Sequence, residues 1–240
     1  NVAIRPRTSL AICKGSAEEF INNVSPVLET SPARYYVLAF TSFEYSDESA
    51  ETDVLKFYTA AQSYDKDAVA VIARLKDEPG DIEINSNESS SKNTKAKGLS
   101  SGGAGSSDDG KEAEFIGLAA FRGGKMVGEI SPDLTLGHLM LTNALKKGTI
   151  TVPDAENPEK VASITLSPKK GTKFQVAIQD KIPIVKIEID LQAHFESSTT
   201  TTDYLETQNS EQLKRTIEQE VQNLVKEYLT ETQRRFIIWL

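Results

Sequence analysis

The sequence is poor in the residues that build metal and catalytic centres. Its 240 residues include one Cys and two His, His138 and His194. One Cys excludes an internal disulfide and any site that needs several thiolate ligands, and two His far apart in the sequence leave little for zinc or iron. No apolar stretch approaches the ~20 residues that span a bilayer. We therefore expect no metal centre, no bound cofactor and no transmembrane helix.

Basic residues are also scarce relative to acidic ones. There are 27 Lys and Arg against 35 Asp and Glu, which gives a formal net charge of −8. The basic clusters Lys146-Lys147 and Lys169-Lys170 are too small and scattered for the continuous basic surface that nucleic acid requires. The composition, 38% hydrophobic and 26% charged, is that of an ordinary globular protein with one large or two compact domains. We expect no nucleic-acid partner.

Catalytic motifs are missing as well. The sequence has no nucleophile elbow, no phosphate-binding Walker loop and no zinc-protease helix. His138 is a candidate base with Asp133 or Glu129 as its orienting acid, but Asp133 lies off the same helix face and no nucleophile is implied nearby. We interpret His138 as a helix residue with a local hydrogen bond and His194 as a solvated strand residue. We predict no catalytic residue.

The single Cys lies in a strand-like stretch. Leu10, Ala11 and Ile12 precede Cys13, whereas the acylation motif of bacterial lipoproteins has a small residue directly before the Cys, after a basic and then an apolar leader. Because this order is missing before Cys13, we interpret it as a buried strand residue.

A polar tract divides the chain. Residues 85–112 are rich in Ser, Gly, Asn, Lys and Asp, and Leu99 is the only large apolar residue among them. Such a segment buries too little apolar surface to offset the entropy of ordering. We expect 85–112 to be a flexible loop or linker between a helix-rich mixed α/β domain at 1–84 and a C-terminal domain at 113–240.

The first domain shows signals for both strands and helices. Residues 2–14 are strand-like, but Arg5-Pro6-Arg7 breaks the run early because Pro cannot donate a hydrogen bond to a central strand. Ser16 is a favourable N-cap for a helix with acidic residues in its first turn. Pro32 opens a second helix, and 51–64 show helical periodicity. Residues 68–75 form a continuous apolar run, which predicts a buried strand.

The second domain reads as an antiparallel sheet with helices packed on it. The paired glycines Gly123-Gly124 separate two short apolar runs and predict a β-hairpin, and a Leu-rich helix follows and ends at Gly148. The further predicted elements are strands at 149–152, 161–166, 174–178 and 185–195, a long amphipathic helix at 210–235, and an apolar tail at 236–240 that forms a final strand or docks. We thus predict an α+β fold of two mixed domains, the C-terminal one an antiparallel sheet packed with a long amphipathic helix.

Residues 185–195 alternate between apolar and polar side chains. The pattern indicates one long strand with a dry face and a wet face. Lys186, Glu188 and Asp190 lie on the wet face, which must contact solvent or a partner. We take these three as hypothetical interface residues.

Three segments resemble a known family in their order and spacing. Residues 117–130 (GLAAFRGGKMVGEI) combine an apolar strand that ends in Phe-Arg, a short turn and Lys-apolar-Val-Gly. Residues 4–17 (IRPRTSLAICKGSA) show an Arg-flanked strand that runs into a Lys-Gly-x-Ala helix start, and residues 147–152 (KGTITV) close the Leu-rich helix. Together they resemble the Ger(x)C family, the C subunits of bacterial spore nutrient-germinant receptors. The polar tract and Thr135-Leu136-Gly137-His138 depart from the family pattern and leave the receptor class open.

The resemblance implies a biological role for the chain, which its composition alone does not indicate. Family members are non-enzymatic lipoproteins that act in nutrient-triggered germination together with integral-membrane A and B subunits. The full-length protein is then expected on the outer face of the inner spore membrane, held by an N-terminal lipid anchor that is absent from this chain, and this fragment is expected to be soluble. The resemblance supplies no catalytic or ligand-binding residues.

Two other classes of function stay open. In the first, the chain is an extracytoplasmic module that itself binds a small-molecule nutrient in a cleft between domains. In the second, it is an enzyme such as a hydrolase that uses His138, which the missing nucleophile motif disfavours.

Overall fold

The computed structural model describes most of the chain as helices and strands. The described residues are 5–24, 31–42, 47–50, 52–64, 66–75, 113–154, 157, 159–199, 202, 204 and 206–235. The elements are β1 (Ala11–Cys13), α1 (Ala17–Asn23), α2 (Pro32–Ser42), α3 (Val54–Gln62), β2 (Ala68–Leu75), β3 (Ala113–Arg122), β4 (Lys125–Ile130), α4 (Pro132–Leu141), β5 (Gly148–Pro153), β6 (Val161–Pro168), β7 (Lys173–Gln179), β8 (Ile182–Glu188), β9 (Leu191–Ser198) and α5 (Thr207–Arg235). This is the predicted α+β class. The predicted linker at 85–112 and the apolar tail at 236–240 lie outside the described residues.

The first sheet has the strand order β1-β2-β3-β4. β1 runs parallel to β2, whereas β2, β3 and β4 are antiparallel neighbours. Val71 of β2 is opposite Leu118 of β3, and both side chains are fully buried. The sheet therefore joins strands from both sides of the polar tract. The predicted boundaries at 84 and 113 place these strands, β2 and β3, in different domains. How the chain divides into folding units stays a prediction.

Two helices of the first half begin at capping residues, α1 at the predicted Ser16 and α3 at Asp53. The hydroxyl of Ser16 accepts a hydrogen bond from the backbone N–H of Glu19 at 3.3 Å, and Asp53 caps α3 by accepting from the N–H of Lys56 at 2.6 Å. Among the described residues of the predicted strand at 2–14, Ala11–Cys13 form the strand β1. The carbonyl of Pro6 instead accepts from the N–H of Leu55 at the start of α3.

The hairpin between β3 and β4 has the predicted turn. Gly123 and Gly124 have φ values of +53° and +77°, which suit a two-residue primed turn. Gly117 in β3 also has a positive φ, +69°. A Cβ at this position would lie 2.8 Å from the carbonyl oxygen of Ile130, so the approach of the two strands requires glycine.

The second sheet has the order β5-β6-β9 and packs with α4 and α5 around the main core. Along β6 the buried side chains alternate with partly exposed ones, as a sheet with one covered face requires. Seven of the ten residues of α4 are buried, and α5 contributes Val225 and Tyr228 to the core. A Cβ on Gly137 of α4 would lie 3.0 Å from the Cβ of Tyr228, so the two helices are in close contact.

The structure corrects two sequence predictions in this half. The helix α4 ends at Leu141 with Thr142 as its C-cap, and not at Gly148. Gly148 is buried in β5, where a Cβ would lie 2.5 Å from Leu136 Cδ1, so its role is close packing and not capping.

The predicted long strand at 185–195 is two strands. β8 pairs with β7, whereas β9 pairs with β6. Between them, the carbonyl of Asp190 accepts a hydrogen bond from the N–H of Lys169 at 2.8 Å. The apolar residues from 185 to 195 all occupy odd-numbered positions, so the alternation continues from β8 into β9. Periodicity alone therefore does not reveal the break between the two strands.

Candidate partner-binding surface

β7 and β8 form a two-stranded ribbon, which we call the β7–β8 ribbon, residues 173–188. Within the described part of the chain its strands pair only with each other. Asp180 and Lys181 form its turn, with φ values of +52° and +66°, as a two-residue hairpin loop requires. All residues of both strands are exposed except Ile187, which is partly buried.

One face of the β7–β8 ribbon is apolar along its whole length. Opposite residues of an antiparallel pair share a face, and the register pairs Phe174 with Ile187, Val176 with Val185 and Ile178 with Pro183. We call these six residues the apolar ladder. Val176 is 69% exposed and Ile178 79% exposed, so a face that the sequence pattern predicts to be dry lies open to solvent.

The other face of the β7–β8 ribbon carries two of the three predicted interface residues. Lys186 is opposite Gln175, and Glu188 is opposite Lys173. The carboxylate of Glu188 lies 3.9 Å from the Lys173 ammonium, an exposed ion pair that contributes little to stability. Asp190 lies beyond the ribbon, so the structure brings together Lys186 and Glu188 but separates Asp190 from them.

A cleft of about 300 Å³ lies at the base of the ribbon. Gly171 and Thr172 precede β7 on one side of it, and Ile189 follows β8 on the other. Apolar side chains and lysines also line it: Met140, Leu145, Leu191, Lys146, Lys169 and Lys170. The N–H of Thr172 donates to the Asn143 side-chain oxygen at 2.6 Å, which fixes the loop that enters β7.

His138 is not arranged as a catalytic base. Its Nδ1 lies 2.8 Å from the hydroxyl of Tyr228 on α5, and neither Asp133 nor Glu129 orients it. Burial lowers the pKa of His138 to about 4 and raises the pKa of Tyr228, because burial disfavours the charged form of each group. The pair therefore stays neutral near pH 7 and joins α4 to α5.

The remaining candidate residues also have structural surroundings. His194 is exposed on β9, opposite Thr165. Cys13 is partly buried in β1, and burial raises the pKa of its thiol. Within residues 5–235, as far as the structure describes them, no three His, Cys, Asp or Glu side chains cluster as metal ligands, and no described helix is long and apolar enough to cross a membrane.

Comparisons with known proteins identify the fold and the family. The crystal structure of the GerBC protein matches with a TM-score of 0.58 and 14% sequence identity, over 95% of this chain and 54% of the GerBC chain. The chain thus has the α+β fold of GerBC and spans about half the length of that structure. No curated protein sequence matches.

The family follows from the second half of the sequence. The family described as "Spore germination B3/GerAC like, C-terminal" matches residues 116–237, more than half of the chain. The chain belongs to this family, that of spore germinant receptor C subunits, and the resemblance seen in residues 117–130 is confirmed. The matched segment contains the whole β7–β8 ribbon.

Sequence reasoning missed the apolar ladder. The residues were recognised as alternating strands, but alternation is the same whether the apolar face is covered or open. The useful signal was Asp180-Lys181, the two polar residues between the apolar positions 174–178 and 182–187, because a loop of two residues is typical of a hairpin. This signal predicts that the two strands pair with each other, whereas coverage of the apolar face depends on residues elsewhere in the chain.

Proposed function

We propose that the chain is a non-enzymatic subunit of a membrane-bound spore germinant receptor. In this proposal it is needed for nutrient-triggered germination and acts by assembly with integral-membrane A and B subunits. The full-length protein is lipid-anchored at the outer face of the inner spore membrane. The observation that carries the proposal is that the family segment, 116–237, contains an exposed ribbon with one apolar face and no neighbouring strand among the described residues.

Two further observations support a binding role over catalysis. The partly buried pair of His138 and Tyr228 supplies no acid to orient the imidazole, and a general base must be positioned for its proton transfer. An exposed apolar patch, in contrast, marks an interaction site. The proposed role is therefore one of assembly.

The experiment measures dipicolinic acid release from spores that lack this gene, with and without complementation. Several nutrients and one non-nutrient trigger are compared. We expect selective loss of the nutrient response, restored by the wild-type gene. A nutrient response that persists after removal of paralogous receptors contradicts the proposal.

Lys186 and Glu188 are the proposed polar interface residues, with Asp190 near the base of the ribbon. The double substitution Lys186→Glu with Glu188→Lys reverses both charges on one face. The matched control reverses Lys214 and Glu218, an exposed ion pair on α5 with a 3.9 Å separation. We expect weaker recovery of receptor partners only for the ribbon variant. Equal recovery for both variants removes Lys186 and Glu188 from the interface.

The cleft at the base of the ribbon favours a second candidate, an extracytoplasmic module that binds a nutrient. Its volume of about 300 Å³ is at the lower end of the range for small-molecule sites. Lys146 and Lys169 at its wall suit a carboxylate. This candidate predicts that amino acids or sugars raise the melting temperature of the isolated protein, whereas the assembly role predicts no shift.

A further inference from the structure

We infer that the apolar ladder is a docking surface for a protein partner with an apolar groove and an acidic rim. This inference rests on the proposed function, in which the partner is the part of an integral-membrane receptor subunit that lies outside the bilayer. The occupant is inferred from four observations: the continuity of the ribbon with the core, its apolar outer half, its charged turn, and the positive charge of the ribbon together with its flanking residues.

The apolar ladder extends the main core into solvent. Ile187 is partly buried and packs against the main core, to which β3, β4, β5, β6, α4 and α5 contribute buried side chains. From Ile187 the ladder continues outward through Val185 and Val176 to Ile178, whose exposure is the largest of the four. A partner that contacts this face would therefore continue an existing core, as the apolar centres of protein interfaces do.

The outer half of the β7–β8 ribbon has apolar side chains on both faces, with Gln179 as the one polar strand residue on the face opposite the ladder. Besides the ladder, Ile182 and Ile184 are exposed on the opposite face. A ribbon that lies flat on a lipid surface would cover one face and leave these two side chains in water. A protein groove can cover both faces at once.

The charged turn of the ribbon also disfavours insertion of the ribbon into a lipid bilayer. Asp180 and Lys181 form its tip, so insertion tip-first would bring two charged side chains into hydrocarbon, where charges are costly. In a protein groove that is open at its end, the tip stays in water. The geometry thus favours a groove in a protein.

The charge of the ribbon and its flanking residues indicates which charge the rim of the partner's groove carries. The segment 169–190 contains five Lys and three acidic residues, a net charge of +2, in a chain whose net charge is −8. Acidic residues around the groove would complement this segment and orient the encounter. A symmetric pair of ribbons from two copies of this chain would bring two positive segments together, which disfavours a second copy as the occupant.

A partner would also supply stability that the ribbon lacks. A two-stranded hairpin is marginally stable in water unless a third strand or another element packs on it. Among the described residues no further strand joins β7 or β8. Docking would therefore stabilise the ribbon as well as cover it.

The first test compares the recovery of the two integral-membrane subunits with tagged full-length protein from detergent-solubilised spore membranes. The double variant Val176→Asp with Ile178→Asp places charges on the ladder. Val37→Asp on α2 is the matched control, since Val37 is 64% exposed. All three side chains are exposed, so melting temperatures should be unchanged. We expect at least a tenfold loss of recovery for the ladder variant and none for the control.

The outcomes separate the inference from the proposed function. If the wild-type protein recovers neither subunit, the proposed function fails, and the inference fails with it. If the wild-type protein and the ladder variant recover the subunits equally, only the inference is overturned.

The second test replaces Val176 with a photo-crosslinking amino acid. We expect a crosslink to one of the two integral-membrane subunits, identified by mass spectrometry, and none from the same replacement at Val37. A crosslink from position 176 to lipid, or to a second copy of this chain, overturns the inference.

Discussion

The Nδ1 of His138 and the hydroxyl of Tyr228 lie 2.8 Å apart and form a hydrogen bond between α4 and α5. Tyr228 is 1% exposed, and the two rings meet edge to face, with their centroids 5.8 Å apart. The contact fixes the long helix against the helix that is most deeply embedded in the core. It is therefore a structural pair, and the lowered pKa of His138 contributes to how stability depends on pH.

We expect this pair to make the protein less stable as the pH falls from about 6.5 to about 4. The pKa of His138 is lowered from 6.5 to about 4, so in this range the unfolded chain binds a proton that the folded chain does not. The stabilising contribution of neutral His138 is complete above the pKa that this residue has in the unfolded chain. It is lost as the pH falls below that value. At pH 4.5 we expect a loss of about 2 to 3 kcal/mol relative to pH 7.

The measurement is urea unfolding of the wild-type protein and of His138→Gln at both pH values. Gln does not titrate, so the difference in unfolding free energy between the two proteins isolates His138 from the carboxylates. A difference that is constant between pH 7 and 4.5 would contradict the lowered pKa.

Tyr228→Phe should destabilise the protein by about 1 to 2 kcal/mol. The substitution keeps the ring in the core but removes the hydroxyl, which leaves Nδ1 of His138 without this partner. Thermal unfolding measures the loss. Tyr58→Phe on α3 is the control, because Tyr58 is 62% exposed and its loss of a hydroxyl should change little. Equal effects at the two positions would show that the buried hydrogen bond contributes nothing.

Gly117→Ala should be more destabilising than Gly124→Ala. Both glycines have positive φ, +69° and +77°, so both substitutions cost about 1 kcal/mol of backbone strain. Only at Gly117 would the new Cβ meet another atom, the carbonyl oxygen of Ile130 at 2.8 Å, whereas nothing lies within 4 Å at Gly124. We expect a further roughly 1 to 3 kcal/mol at Gly117, measured by chemical denaturation. Similar losses would mean that strain alone accounts for both.

Much of the fold could be predicted because local signals and tertiary structure agree. Ser16 marks the start of α1, Gly123-Gly124 the turn of the first hairpin, and the continuous apolar run at 68–75 a buried strand. Each signal depends on a few neighbouring residues, such as a cap, a positive φ or a run of apolar side chains. Such features are independent of what lies elsewhere in the chain.

The parts that could not be predicted depend on distant neighbours. Gly148 has the sequence context of a helix end, but its position is decided by contact with Leu136. The apolar ladder has the pattern of a covered strand, and only the exposure of its side chains in the folded chain shows that it is not covered. Lys186 and Glu188 are a further example. The alternating pattern assigns both residues to one face of the strand, but what that face contacts depends on residues elsewhere.

A fragment of residues 113–240 should not fold as an independent unit. β3 would lose β2, and the central residues of β3, Leu118, Ala119 and Ala120, which are fully buried in the whole chain, would be exposed at an open strand edge. Such an edge pairs with other chains and leads to aggregation. We expect the fragment to aggregate and co-expression of residues 1–84 to restore a soluble complex, as measured by size-exclusion chromatography and circular dichroism. A fragment that unfolds cooperatively as a monomer would instead support a folding boundary at the polar tract and would show that the β2–β3 pairing joins two units that fold separately.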